Sequence, residues 1–292
     1  MSIQRSLPRR CLDLSGEQIP VIKERRIQYI IYSLKCFHDN PFNRELQRAC
    51  VLKLYPDKNE HSVFRGVTIH TLRKLGLIVG RGDRIRLGSN GKIILDSDKV
   101  SMRERTIRAV ILEIDFHRSH FIELIKKAQP LKYSDLISYL QKDAILGKKQ
   151  LKERVDSWVR ILTDSGLVDS DREGRLTVKS ENLETAMKDL RVEEKEPSFI
   201  EILLSCFSAL HKYGTAGMID IADLRSEVSI EYLHKRNMIL TEAQFDQLLR
   251  NAPKVTDTYI ITFGQPMGAE EQLFIYRGNY YRTINIRMLK ER

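Results

Sequence analysis

The sequence predicts a mainly α protein with small β-hairpins, an α+β chain built from three tandem units of one plan. Three observations carry this. Apolar residues recur at helical spacing in three regions, each closed by short alternating stretches, which gives the order helix, helix, helix, hairpin. The helix end Leu75-Gly76-Leu77-Ile78 returns ninety positions later as Ser165-Gly166-Leu167-Val168, which argues for tandem copies. A polar stretch ending in Pro197 separates the last region from the others. The units are then 17–100, 101–185 and 198–292, with a basic arm at 1–16 and a linker at 186–197.

In the first unit, Arg5, Arg9 and Arg10 surround Pro8 in an arm without apolar periodicity. From Val21 the stripe Ile27, Ile30, Ile31, Leu34 and Phe37 marks a first helix. Asn40-Pro41 sets a capping residue before a proline at the first helical position, and a second helix follows through Phe42, Leu46, Ala49, Cys50 and Leu54. Tyr55-Pro56-Asp57-Lys58-Asn59 is a turn. The third helix starts near Ser62, uses Phe64, Val67, Leu72 and Leu75, and stops at Gly76. A hairpin follows, with Gly80-Arg81-Gly82-Asp83-Arg84 at its tip and a second turn at Ser89-Asn90-Gly91. Gly66 costs this helix about 1 kcal/mol relative to alanine. Either the helix begins later or its backbone approaches something closely there.

In the second unit, helices are expected at 102–127 and 133–141, the latter opened by Tyr133-Ser134 with Asp135 in its first turn. Leu151, Val155, Val159 and Leu162 form the third helix, where Trp158, the only tryptophan, reads as core or interface. Asp169, Asp171 and Glu173 make an acidic hairpin tip that would repel phosphate. The third unit has an apolar helix through Phe199, Ile202, Leu203, Phe207 and Leu210, a break at 213–217 and a helix near 220–235. Thr241-Glu242-Ala243-Gln244 then forms a capping box for another helix. Strands are expected at 258–263, 272–276 and 280–286, without the glycine junction of the first two units.

The 292 residues carry a net charge of +10. Residues 1–100 hold 19 Lys and Arg against 10 Asp and Glu, residues 101–197 hold 19 against 18, and residues 198–292 hold 11 against 11. One basic unit joined to two neutral ones suggests that a single part docks on a polyanion while the rest extends the site or binds protein. Cys11, Cys36, Cys50 and Cys206 lie far apart without C-x-x-C pairing, so the expectation is free thiols in a reducing, cytoplasmic setting. No apolar run of signal-peptide or membrane-spanning length is present, so no membrane partner is expected.

The helix ending in Leu75-Gly76-Leu77-Ile78 and running into a basic hairpin resembles the third helix and wing of winged helix-turn-helix DNA-binding domains, over about eighty residues. The resemblance implies that the third helix enters a major groove while the wing touches phosphates. Carried over by position, the helix candidates are Ser62, Arg65, His70, Arg73 and Lys74, and the wing candidates are Arg81, Arg84 and Arg86. Arg9 and Arg10 of the arm would reach a minor groove. The implied function is non-enzymatic binding of double-stranded DNA through the first unit, the other two recruiting a protein partner such as the nuclease or ATPase of a prokaryotic defence or restriction system. The competing class is a scaffold subunit whose units bind proteins.

Enzyme signatures fail: there is no G-x-x-x-x-G-K-[ST], G-x-S-x-G or H-E-x-x-H. Glu113, Asp115, His117, His120 and Glu123 fall within three helical turns, but helical spacing without further ligands is weak support for a metal. Asp171, Glu173 and Lys179 lack the parallel strands of a nuclease core. No cofactor is expected. Tyr276, Tyr280 and Tyr281 beside Arg277 and Arg282 could stack bases, yet half-buried tyrosines of a small sheet explain them better.

Overall fold

The computed structural model describes residues 19–24, 26–56, 58, 62–80, 82–96, 100–141, 146–190, 198–211, 217–236, 238–265 and 273–289. The arm with Arg5, Arg9 and Arg10, the wing-tip Arg81 and most of the expected linker lie outside these.

In the first unit, Ile27, Ile30, Leu34 and Phe37 are buried along α1 (Ile27–Asp39), as their spacing requires. Helix α2 (Arg44–Leu52) begins later than expected, because Asn43 and not Asn40 is its cap: the Asn43 side chain accepts the Leu46 amide. Phe42 therefore precedes the helix, at φ +60°, and is 61% exposed, while Leu46 is 52% exposed. Neither belongs to the core. Cys36 and Cys50 form a disulfide that ties α1 to α2, which corrects the expectation of free thiols. Their helical contexts bring together two cysteines that spacing alone left apart.

The third helix starts at Ser62 as a π-helical segment, Ser62–Ile69, and tightens into α3 (His70–Lys74). At Gly66 an added Cβ would meet nothing within 4 Å, so no close backbone approach explains it. The helix ends in a Schellman motif: the Gly76 amide bonds Arg73 O (3.0 Å), the Leu77 amide bonds Leu72 O (2.8 Å), and Gly76 sits at φ +66°. Strands β1 (Ile78–Val79) and β2 (Arg86–Leu87) make the expected hairpin. The supposed turn at Ser89-Asn90-Gly91 is instead the start of α4 (Ser89–Asp96), which is buried on several sides. Gly91 is required there, since a Cβ would lie 2.2 Å from Leu77 O.

The second unit repeats this end. The single helix expected at 102–127 is two, α5 (Val100–Ile114) and α6 (Phe121–Ala128), separated by a π turn and by His120 in the left-handed region. Strand β3 (Leu131–Lys132), α7 (Tyr133–Gln141) and α8 (Lys148–Asp164) follow. Gly166 at φ +74° closes α8 with the same bonds, to Thr163 O (3.0 Å) and from Leu167 to Leu162 O (3.0 Å). After β4 (Val168–Ser170) and β5 (Arg175–Val178), α9 (Ser180–Asp189) occupies the place that α4 has in the first unit, and it runs through residues expected in the linker. Each of the first two units thus has a helix directly after its hairpin.

The third unit comprises α10 (Phe199–His211), β6 (Ile219–Asp220), α11 (Ile221–Arg236), α12 (Glu242–Asn251), β7 (Tyr259–Gly264), β8 (Phe274–Tyr276), β9 (Asn279–Tyr281) and β10 (Thr283–Met288). The capping box at Thr241 and Gln244 is present in full. The last expected strand is split into β9 and β10. Sheet orders are β3-β5-β4 in the second unit and β6-β10-β7 in the third, all antiparallel. In each, a short strand, β3 just before α7 or β6 just before α11, pairs with the last strand. Sequence inspection misses both first strands because two residues carry no alternation.

The apolar cores of the first and second units are continuous, while the third has its own around Phe199, Leu203, Phe245, Phe274 and Ile284. Residues 19–27 bridge the first two: the Ile22 amide bonds Ser157 Oγ (2.8 Å) and the Ile27 amide bonds Asp164 (2.6 Å). Helix α4 packs on α1, α5 and α11, so all three units meet along it. No helix among the described residues is long and apolar enough to cross a membrane.

Candidate nucleic-acid interface

The expected third helix and the hairpin after it are both present, and the structure sorts the residues proposed on them. Ser62, Arg65, Arg73, Lys74 and Arg84 are exposed. Arg65, Arg73, Lys74 and Arg84 have no carboxylate partner among the described residues. Arg73 donates to the Gly80 carbonyl and so fixes the end of α3 against the hairpin. The hairpin itself can close this tightly only because Gly80, at φ +86°, has no Cβ to meet Arg84 O 2.1 Å away.

Two candidates are committed elsewhere. His70 is half-buried, its Nε2 lies 3.0 Å from Val21 O, and burial lowers its pKa, so it holds the 19–27 segment. Arg86 Nη1 reaches Asp223 of α11 at 2.5 Å, which joins the wing to the third unit.

The acidic tip of the second hairpin is not a bare negative patch. Arg175 pairs with Asp171 (3.0 Å) and with Glu173, and Lys179 pairs with Asp169 (3.0 Å). The repulsion expected from three acids is thus largely cancelled locally, and Lys179 is turned away from the acids it was grouped with as a nuclease candidate.

The residues considered for a metal diverge. Asp115 is fully buried and accepts from Trp158 Nε1 (2.8 Å), Ser119 Oγ (2.7 Å) and the Phe121 and Ile122 amides, so it caps α6 and anchors the tryptophan. Burial raises its pKa against these donors. Glu123 pairs with Lys127, while Glu113 accepts from Thr241 Oγ1 (2.5 Å) in the third unit. Among the described residues no group of three His, Cys, Asp or Glu is placed to hold a metal. Tyr276 and Tyr281 pack against Phe263, with ring centroids 5.5 and 5.3 Å away, and leave Tyr280 alone exposed.

A feature that sequence reasoning missed is the junction of the three units. Arg225 of α11, with a fully buried side chain, bonds Glu242 (2.9 Å) and Asp246 (2.7 Å) of α12. Glu113 of α5 and Asn90 of α4 close on the same cluster, the latter accepting the Glu242 amide (3.2 Å). Burial raises the pKa values of Glu242 and Asp246 against the pull of Arg225, and that of Glu113 to about 7. These groups hold units together, and Asn90, Glu113, Glu242 and Asp246 line a cleft of about 540 Å³ whose wall also includes Arg73 and Lys74.

Comparison with protein-family models, curated proteins and solved structures gives no match for this chain. The functional reading therefore rests on the geometry alone.

Proposed function

We propose that this is a non-enzymatic, double-stranded DNA-binding protein whose first unit acts as a winged helix. The observation that carries the reading is the set of uncompensated cations Arg65, Arg73, Lys74 and Arg84 on one helix and the hairpin after it. Cations kept unpaired on a surface are what neutralises phosphates and releases counterions. The three-stranded antiparallel sheets of the second and third units, packed with five and three helices, support the same kinship. Ser62 and Arg65 are proposed to read bases, Arg73, Lys74 and Arg84 to hold phosphates, and Arg81, Arg9 and Arg10 to extend the contact. His70 and Arg86 drop out, because Val21 and Asp223 occupy them. The second and third units extend the site or recruit a partner, a nuclease or ATPase of a prokaryotic defence or restriction system. The setting proposed is cytoplasmic, and the Cys36–Cys50 bond is the observation that this placement must accommodate.

A scaffold role is favoured by one observation, the exposure of both Phe42 and Leu46, four residues apart in sequence, which an isolated soluble surface does not require. The experiment that separates the readings is the salt dependence of duplex binding. Replacing Arg73, Lys74 and Arg84 by alanine is expected to flatten the log–log slope by about two to three units, at about 0.9 per lost phosphate contact. Arg65→Ala is expected to reduce discrimination between sequences as well. A folded triple variant with an unchanged slope refutes the DNA reading and leaves the scaffold.

A further inference from the structure

A groove beside α1 has no part in the proposal above. Two adjoining cavities, of about 940 and 670 Å³, line the channel between the first and second units and have Arg26 and Asp164 in the walls of both. One wall is the segment leading into α1 and α1 itself, where Lys23, Arg26, Tyr29, Tyr32 and Lys35 follow one another at intervals of three. On a helix that spacing sets side chains in a slowly winding row, about 14 Å long from Arg26 to Lys35.

The charges in this channel are arranged in a particular way. Its acids are all engaged: Glu24 by Arg26 (2.9 Å) and by the Tyr55 hydroxyl, Asp164 by the Ile27 amide, Asp156 by Arg160 (3.5 Å) and Glu104 by Arg108 (3.5 Å). Lys23 and Lys35 are exposed and meet no carboxylate of the described residues, and Lys58, also of the first unit, lies 5.7 Å from the Tyr55 ring. Excess positive charge therefore runs along the whole channel.

The aromatic groups complete the pattern. Arg26 lies 3.4 Å over one face of Tyr29, and the edge of Tyr29 meets Tyr55 at a 5.5 Å centroid distance, so this ring is held still. Tyr32, one step along, is partly exposed and contacts no other ring among the described residues. A row of fixed and open tyrosines flanked by unpaired lysines is the combination that takes a single strand, phosphates on the cations and bases on the rings.

We infer that the channel between α1 and the second unit binds single-stranded nucleic acid, with Lys23, Lys35 and Lys58 on the backbone and Tyr32 as the stacking platform. The inference deepens the nucleic-acid reading and rests on it for the class of ligand, while using other residues. A protein with both sites would hold a duplex at the wing and a displaced or overhanging strand in the channel.

The test uses the full chain and two fluorescent probes, an oligothymidine of about 20 nucleotides and a duplex of the same length, at about 50 mM salt. The variant Lys23→Ala, Tyr32→Leu, Lys35→Ala is expected to bind oligothymidine at least about tenfold more weakly, as lost stacking and two lost cations require. Its duplex affinity should change less than about twofold, and Tyr32→Phe, which keeps the ring, should bind like the wild type. The Arg73, Lys74 and Arg84 triple variant should show the reverse selectivity. Failure of the wild type to bind oligothymidine, or an equal loss for both probes in a folded channel variant, overturns the inference. If oligothymidine binding depends on the channel while duplex binding ignores the wing, the channel stands and the duplex proposal falls.

Discussion

Replacing Glu113 by glutamine tests whether the junction of the three units is linked to protons. Glu113 sits on α5, accepts from Thr241 of the third unit, and is surrounded by Glu242 and Asp246 with Arg225 as their shared cation. Burial is the main cause that raises its pKa from 4.5 to about 7; the Thr241 hydroxyl pulls the other way, and the charges of Glu242 and Asp246 add to the rise. Between these two values the folded protein keeps a proton that the unfolded chain has released. The stabilisation from that proton is complete below about pH 4.5 and is lost as pH rises through about 7. Integrated from pH 5 to pH 8, the loss is about 2.5 kcal/mol. Glutamine stays neutral and keeps the length of the side chain, so the variant should lack this part of the decline and exceed the wild type in stability at pH 8. Glu242 and Asp246 are raised by burial too, so both curves fall somewhat, and the difference between them isolates Glu113. Urea unfolding of both proteins at pH 5, 6, 7 and 8 measures it. Parallel curves, or a variant less stable at pH 8, refute the linkage.

Other perturbations have equally definite outcomes. Gly91→Ala drives a methyl into Leu77 O and should cost at least about 2 kcal/mol, whereas Gly66→Ala meets open space and should stabilise by about 0.5 to 1 kcal/mol; thermal unfolding ranks the two. Reducing the Cys36–Cys50 bond, which closes a loop of sequence separation 14, should lower stability by about 3 kcal/mol in the chain-entropy account, and a Cys36→Ser, Cys50→Ser variant should ignore the reductant. Because α2 otherwise buries only Gln47 and Val51, its amides should lose protection first.

What was legible in the sequence follows from what determines each feature. The stripe of α1 and the capping box of α12 are local patterns, and both are where they were expected. The glycine junctions were legible because a left-handed residue at a helix end admits few substitutes, and Gly76 and Gly166 make matching bonds. Ser89-Asn90-Gly91 misled because residues that favour turns can also open a helix, and only the close approach of Leu77 O explains the glycine. The arginines of the helix and wing were visible as charges, but which remain free was not: Asp223 lies 137 residues from Arg86 and nothing local links them. The channel escaped for the same reason, since half of its wall belongs to another unit.

The partition of charge invites a mistaken dissection of the chain. Nearly all of the excess is in residues 1–100, which suggests that this fragment alone would retain the DNA affinity. Charge adds along a sequence, but a core does not. Ile19 and Ile22 are buried in a core shared with the second unit, the Ile22 and Ile27 amides spend their hydrogen bonds on Ser157 and Asp164, and α4 is covered by α5 and α11. Cutting at residue 100 exposes these apolar faces and leaves buried donors without partners, each costing about 1 to 3 kcal/mol, against a stability that for most domains is only about 5 to 15 kcal/mol. Residues 1–190, by contrast, keep the continuous core of the first two units whole and lose only the cover that α11 gives α4 and the polar junction with the third unit. Circular dichroism melting should therefore show a cooperative transition for 1–190 and none for 1–100, and a cooperative melt of the shorter fragment would show that the first unit folds independently after all.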